Sequence, residues 1–258
     1  MGAGASSPPA FASLPPPQQA ELMTKFNALV ASGVAEADAT TRVAADFYAA
    51  APSTVEIELP RLLDAIAATV DRGKTPLVVD PSGKVDTFFS YRGVTVLDGK
   101  KMAMDKSMRK MAMVDILDEA RTRVVGALKA GAVPIIVAMG GCVVDFASTF
   151  NDAALSSAET KDGTLRFFPH DKIFAHAGRG LTDDDVLDQL YRPADRTAGV
   201  VLCRNKGDAY VVLTTTFKHK DFETYLFGKE SFGLPKPASM YEFILVKQDE
   251  TNTDDADE

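Results

Sequence analysis

The stretch LVVDPSGKVDTFF, Leu77 to Phe89, decides how the chain is read. A short apolar run ends at a turn containing Gly83-Lys84, and apolar residues then resume at helical spacing. That is the layout of a buried strand, a turn and a helix. It is also the layout of a nucleoside-triphosphate-binding loop, in which G-x-x-x-x-G-K-[ST] sets backbone amides and a lysine around phosphate and a hydroxyl on magnesium. Gly83 and Lys84 stand where that motif needs them, but Val78 replaces its first glycine and Val85 its magnesium-binding hydroxyl. Pro81 offers no amide hydrogen, and Asp80 sets a carboxylate against a triphosphate. Asp80-Pro81-Ser82-Gly83 instead fits a type I turn, with Asp first, Pro second and Gly fourth. The turn is the stronger reading. The alternative is a degenerate ATP site built from Asp80, Ser82, Gly83 and Lys84, with ATP or ADP held as a structural ligand and no other cofactor expected.

Outward from this stretch, continuous apolar runs alternate with helices, the pattern of a parallel sheet buried on both faces. The runs are Pro76 to Val79, Val94 to Leu97, Val133 to Met139, Tyr210 to Thr216 and Tyr241 to Val246. Before the third run, MVDILDEARTRVVGALKAG aligns Val114, Leu117, Val124 and Leu128 on one stripe, with acids early, bases late and Gly131 as the stop. GVVLCRNKGDAYVVL predicts a hairpin turning at Asn205 to Asp208. The third run ends in Gly140-Gly141 with no acid before Asp145, which argues against ATP hydrolysis and leans the reading away from an enzyme without deciding it. Residues 18–74 read as a helical preface, 75–247 as the core, 1–17 as a flexible Pro-rich arm, 151–171 as a polar insertion and 248–258 as a disordered acidic tail.

The order of these parts resembles the fifth AAA+ module of dynein heavy chains, in a stand-alone and degenerate form. The family's strand, turn and helix there are similar to P-L-x-I-D-P-x-G-x-A, which Pro76, Leu77, Asp80, Pro81 and Gly83 match. The resemblance covers about Thr75 to Lys247 and implies an α/β, AAA+-like three-layer fold with a parallel sheet in the order 5-1-4-3-2 and helices on both faces. It implies a structural or scaffolding role in a cytoplasmic, cytoskeletal setting, a cilium or flagellum, with axonemal or dynein-associated protein partners. The sequence departs from the family in two places. TTTFKHKDF lacks the Asn-Pro that follows this strand in dyneins, and only a short acidic stretch follows Val246, where a helical lid is expected.

Composition bounds the remaining choices. Six of the acids behind the net charge of −8 lie between Asp249 and Glu258, so the body is nearly neutral and nucleic acid is not an expected partner. Two cysteines, Cys142 and Cys203, argue against a disulfide framework and for a reducing compartment. These two with His170 and His176 lack the paired spacing of a zinc site. MGAGAS matches the myristoylation pattern at Gly2. One acyl chain gives weak membrane contact, so a lipid-anchored adaptor is a further alternative, and a chance Gly/Ala-rich arm is the plain one. GKKMAMDKSMRKMAM gathers Lys100, Lys101, Lys106, Arg109 and Lys110 among five methionines. It reads either as a partner-binding surface or as a solvated loop leading into a helix.

Overall fold

The structure, a computed structural model, describes residues 16–49, 52–150, 173–174, 178–227, 233–235 and 237–248. Gly2, most of the arm, the 151–171 insertion, His170, His176 and residues 249–258 lie outside the described residues.

Two helices open the chain, α1 (Pro16–Ala31) and α2 (Glu36–Ala49), and pair through Leu22, Phe26, Ala39 and Val43 in a small core of their own. The body is one six-stranded sheet: β1 (Ser53–Ile57), β2 (Thr75–Val79), β3 (Thr95–Asp98), β4 (Ile135–Ala138), β5 (Val211–Thr215) and β6 (Tyr241–Val246). All neighbours pair in parallel, in the order β1-β6-β2-β5-β4-β3. Alternation along each strand divides the core between the two faces. Val78, Ile136, Val212 and Ile244 pack under α3 (Leu62–Asp71) and α4 (Lys84–Tyr91). Leu77, Val137, Leu213 and Phe243 pack on the other face, against α5 (Gly99–Ser107) and α6 (Met113–Ala130). Two short helices, α7 (Asp184–Leu190) and α8 (Phe222–Phe227), complete that face. The molecule is therefore a three-layer α/β fold.

Four expectations need correction. The sheet has six strands, so the order 5-1-4-3-2 gives way to one in which β1 is added at the edge beyond β6. β1 falls inside the stretch expected to be helical. Val55 and Ile57 turn into the core while Thr54 and Glu56 are exposed, the alternation of an edge strand covered on one face. The hairpin at Asn205 to Asp208 is only a turn: the Asp208 and Ala209 N–H groups donate to the Asn205 carbonyl, but Val201 to Cys203 form no strand. β5 already has β2 and β4 on its two sides, which leaves no edge for a hairpin partner. The segment after β3 is a helix, not a loop, because the Asp98 carboxylate accepts the Lys101 N–H at 2.8 Å and caps α5.

Other local signals are obeyed. Gly131 ends α6 with φ 78, a left-handed stop that a residue with a Cβ adopts at a cost. Arg121 on α6 is buried, and its guanidinium bonds Asp118, the Leu190 carbonyl at 3.1 Å and Asp195, pinning the 190–196 segment to the helix.

Candidate functional site

In open parallel sheets, ligands bind beyond the carboxyl ends of the strands. At that edge three loops converge on Thr216. A Cβ on Gly141 would lie 3.4 Å from the Thr216 hydroxyl, and one on Gly83 would lie 4.0 Å from its methyl group. The Thr216 N–H and the Thr215 hydroxyl both donate to the Gly140 carbonyl, at 3.0 and 2.9 Å. The Asp80 N–H donates to the Thr215 carbonyl at 2.9 Å, so β2, β4 and β5 end as one hydrogen-bonded unit.

The DPSG stretch forms the turn its residues favour. The Gly83 N–H donates to the Asp80 carbonyl at 3.1 Å, and Gly83 takes φ 71 to lead into α4. Asp80 is only 2% exposed, and its carboxylate faces inward over the turn. Oδ1 accepts the Ser82 N–H at 3.0 Å and the Ser82 hydroxyl at 2.6 Å, and Oδ2 accepts the Val85 N–H at 2.7 Å. The Lys84 N–H donates to Ser82 Oγ at 3.4 Å. Every amide from Ser82 to Val85 thus has an acceptor inside the loop, and Pro81 has no amide hydrogen to offer. These are the groups with which a phosphate loop holds its ligand. Here the chain supplies the anion itself.

Around the turn, the groups needed for hydrolysis are directed elsewhere. Val85 is buried with Phe89 and Val78 in the core under α4, out of reach of a magnesium ion at the loop. Asp145, the first acid after β4, accepts the N–H groups of Ser148 and Thr149 at 2.9 and 3.0 Å and so closes its own loop. Asp86, in the first turn of α4, accepts the Thr214 hydroxyl at 2.7 Å. Burial raises its pKa, with the charges of Asp80 and Asp98 adding to the rise and the Thr214 hydrogen bond opposing it. Lys84 is exposed at the start of α4. Among the described residues no cluster of His, Cys, Asp and Glu is placed to hold a metal, and Cys142 and Cys203 are free, half-buried thiols.

The basic segment is divided in use. Lys101 reaches both Asp105 and Glu119 at 2.8 Å, and Arg109 reaches Asp105 at 2.7 Å. Hydrogen bonding from Lys101 lowers the pKa of Asp105 and of Glu119 against the opposing effect of burial. These groups line a small cleft, open to solvent, between β3, α5 and α6, with Met102, Ile116 and Arg123 in its walls. Cation and carboxylate satisfy one another there. Lys100, Lys106 and Lys110 lie outside this network, exposed to solvent.

Of the residues the sequence singled out, Asp80, Ser82, Gly83 and Lys84 come together in one loop, whereas the five bases separate into two groups. Asp105 and Thr214 had no motif to announce them, since each matters through a partner on another element. The double use of Asp80, as turn residue and as acceptor for the Val85 N–H, was legible in an aspartate standing two residues before a serine at a helix start. No helix among the described residues is long and apolar enough to cross a membrane. Comparison of the chain with family models, with curated proteins and with solved structures returns no match.

Proposed function

We propose that the chain is a non-catalytic structural or scaffolding module of the dynein AAA+ kind, acting within a cytoskeletal assembly of a cilium or flagellum. The observation that carries the non-catalytic part is the Asp80 carboxylate, which engages the turn that would otherwise hold phosphate. The absence of an acid at the end of β4 and the burial of Val85 support the same reading. The AAA+ likeness rests on the sequence resemblance. It is supported by β2, which lies between β6 and β5 with the turn at its carboxyl end; with β1 set aside, the other five strands run β6-β2-β5-β4-β3. Axonemal or dynein-associated proteins are the partners this reading implies, and recovery of such proteins with a tagged chain from ciliated cells tests it. Their absence from repeated preparations counts against it.

Thermal unfolding with and without magnesium-ATP tests the chemistry. A ligand bound only to the native state at ten times its Kd stabilises by about 1.4 kcal/mol, which raises the Tm of a chain this size by about 2–4 °C. No shift is expected at millimolar ATP, and no phosphate release above background. A shift that disappears in Lys84→Ala would promote the nucleotide-binding alternative, in which Gly83 and Lys84 hold ATP or ADP as a structural ligand.

A further inference from the structure

We infer that the outer edge of β3 is a self-association surface, on which a second copy of the chain adds its own β3 antiparallel and continues the sheet across a two-fold axis. The ladder fixes where each backbone group of this edge strand points. The Ile135 and Met139 N–H groups donate toward β5, to the Tyr210 and Thr214 carbonyls, at 2.9 Å each. Alternation turns Ile136 the other way, toward β3, where its register partner is Val96. In a parallel pair Ile136 bonds the residues on either side of that partner, so Thr95 and Leu97 are the ones engaged with β4. The N–H and C=O groups of Val94 and Val96 therefore point outward, and among the described residues no hydrogen bond reaches them.

Natural sheet edges are commonly guarded by charge. At the opposite edge, the Lys247 N–H donates to the Ile57 carbonyl, which leaves the exposed Glu56 as an outward residue of β1. β3 has no such guard, because no charged residue lies from Gly93 to Leu97. Its charges stand at the two ends, both exposed. Arg92 is held beside the edge over the Phe88 ring at 4.8 Å, and Asp98 caps α5 through one carboxylate oxygen. In an antiparallel pair the outward residues lie opposite one another, so two copies of β3 meet in registers centred on Val94, Thr95 or Val96. Centring on Val96 sets Asp98 against the copy's Val94, and centring on Val94 sets Arg92 against the copy's Val96. Centring on Thr95 sets Val94 against Val96 and brings Arg92 to the copy's Asp98 at both ends. Charge complementarity thus selects the same strand, reversed, as the occupant. Tyr91, the last residue of α4 and 86% exposed, adds a large apolar side chain at the end of this edge. The strand is short, so the dimer belongs to the weak, reversible class. Such a dimer follows from the sheet edge and not from the AAA+ likeness.

Sedimentation velocity of the full chain from about 5 to about 500 µM reads the monomer–dimer equilibrium by mass action. The parent is expected to move from monomer toward dimer over this range. Thr95→Lys sets two ammonium groups across the axis and is expected to raise the dissociation constant at least about tenfold. Arg92→Glu and Asp98→Lys each place like charges at both ends, and each is expected to raise it about threefold to tenfold. Mixed in equal amounts, these two variants meet opposite charges again, and their heterodimer is expected to return to within about threefold of the parent. Glu56→Lys on the other edge is expected to stay within about twofold. Circular dichroism and Tm verify the fold of each variant. If Asp98→Lys unfolds through loss of the α5 cap, Val96→Pro takes its place: it removes an outward N–H, leaves the bonds to β4 intact, and is expected to abolish the dimer with the fold kept. A parent that stays monomeric throughout, or a dimer indifferent to Thr95→Lys, overturns the inference. So does a mixture no tighter than its two variants alone, or a loss produced by Glu56→Lys in place of Thr95→Lys, which would move the contact to β1.

Discussion

Replacing Asp80 by alanine removes the acceptor on which the β2–α4 turn is built. Three donors lose their partner: the Ser82 N–H and hydroxyl, and the Val85 N–H. The Ser82 groups are near solvent and regain water, so their loss is small. The Val85 amide sits over a buried side chain, and leaving it unpaired costs about 1–3 kcal/mol. Relief of the repulsion between Asp80 and Asp86 returns part of this. The expected net loss is about 1–2 kcal/mol, read as a lower urea midpoint with an unchanged slope. Asp80→Asn keeps an oxygen acceptor for one of the two amides, so it should fall between, near about 1 kcal/mol. A loss below about 0.5 kcal/mol in Asp80→Ala, within the range of ordinary surface substitutions, would refute the claim that this carboxylate organises the turn.

Val79→Asp places a carboxylate at the buried carboxyl end of a central strand with 0% exposure, and the chain should fail to fold; recovery of soluble protein with native-like circular dichroism would count against the assigned position of β2. Arg121→Ala removes the buried link between α6 and the 190–196 segment, at about 2–4 kcal/mol, and limited proteolysis should cut first near Arg192 to Arg196. Acid sensitivity has a defined sign. Burial works against ionisation of Asp195, but Arg121 and the Arg192 N–H outweigh it and hold its pKa low; Glu242 is held low in the same way by Arg72 and Thr69. Their stabilisation is complete above the ordinary carboxylate range, about pH 4, and is lost as pH falls through the depressed folded values. Arg121→Ala should therefore flatten the urea-midpoint profile below about pH 4. Gly178→Ala should cost about 2–4 kcal/mol in urea unfolding, because its Cβ would lie 2.6 Å from the Val211 carbonyl oxygen at φ +72; a neutral result would mean that this approach is not held in solution.

Sequence alone determined the parts of this protein that depend on near neighbours. The unbroken apolar runs specify strands buried on both faces, and therefore a parallel α/β sheet with helices above and below. Asp80-Pro81-Ser82-Gly83 specifies its own turn, because every group that closes it lies within six residues. Gly131 and the charge gradient of Met113–Ala130 specify where α6 ends and how it is oriented toward its dipole. Tertiary structure decided the rest. β1 became a strand because β6 offered it an open edge, a fact about residues almost two hundred positions away. The residues before Asn205 did not become one, because β2 and β4 had already taken both sides of β5. The basic segment read as a single patch, yet Asp105 faces α6, where Lys101 and Glu119 meet, and that burial divides its cations into spent and available. Periodicity and turn chemistry are written in adjacent residues, whereas edge occupancy and charge pairing are settled only when distant elements come into contact.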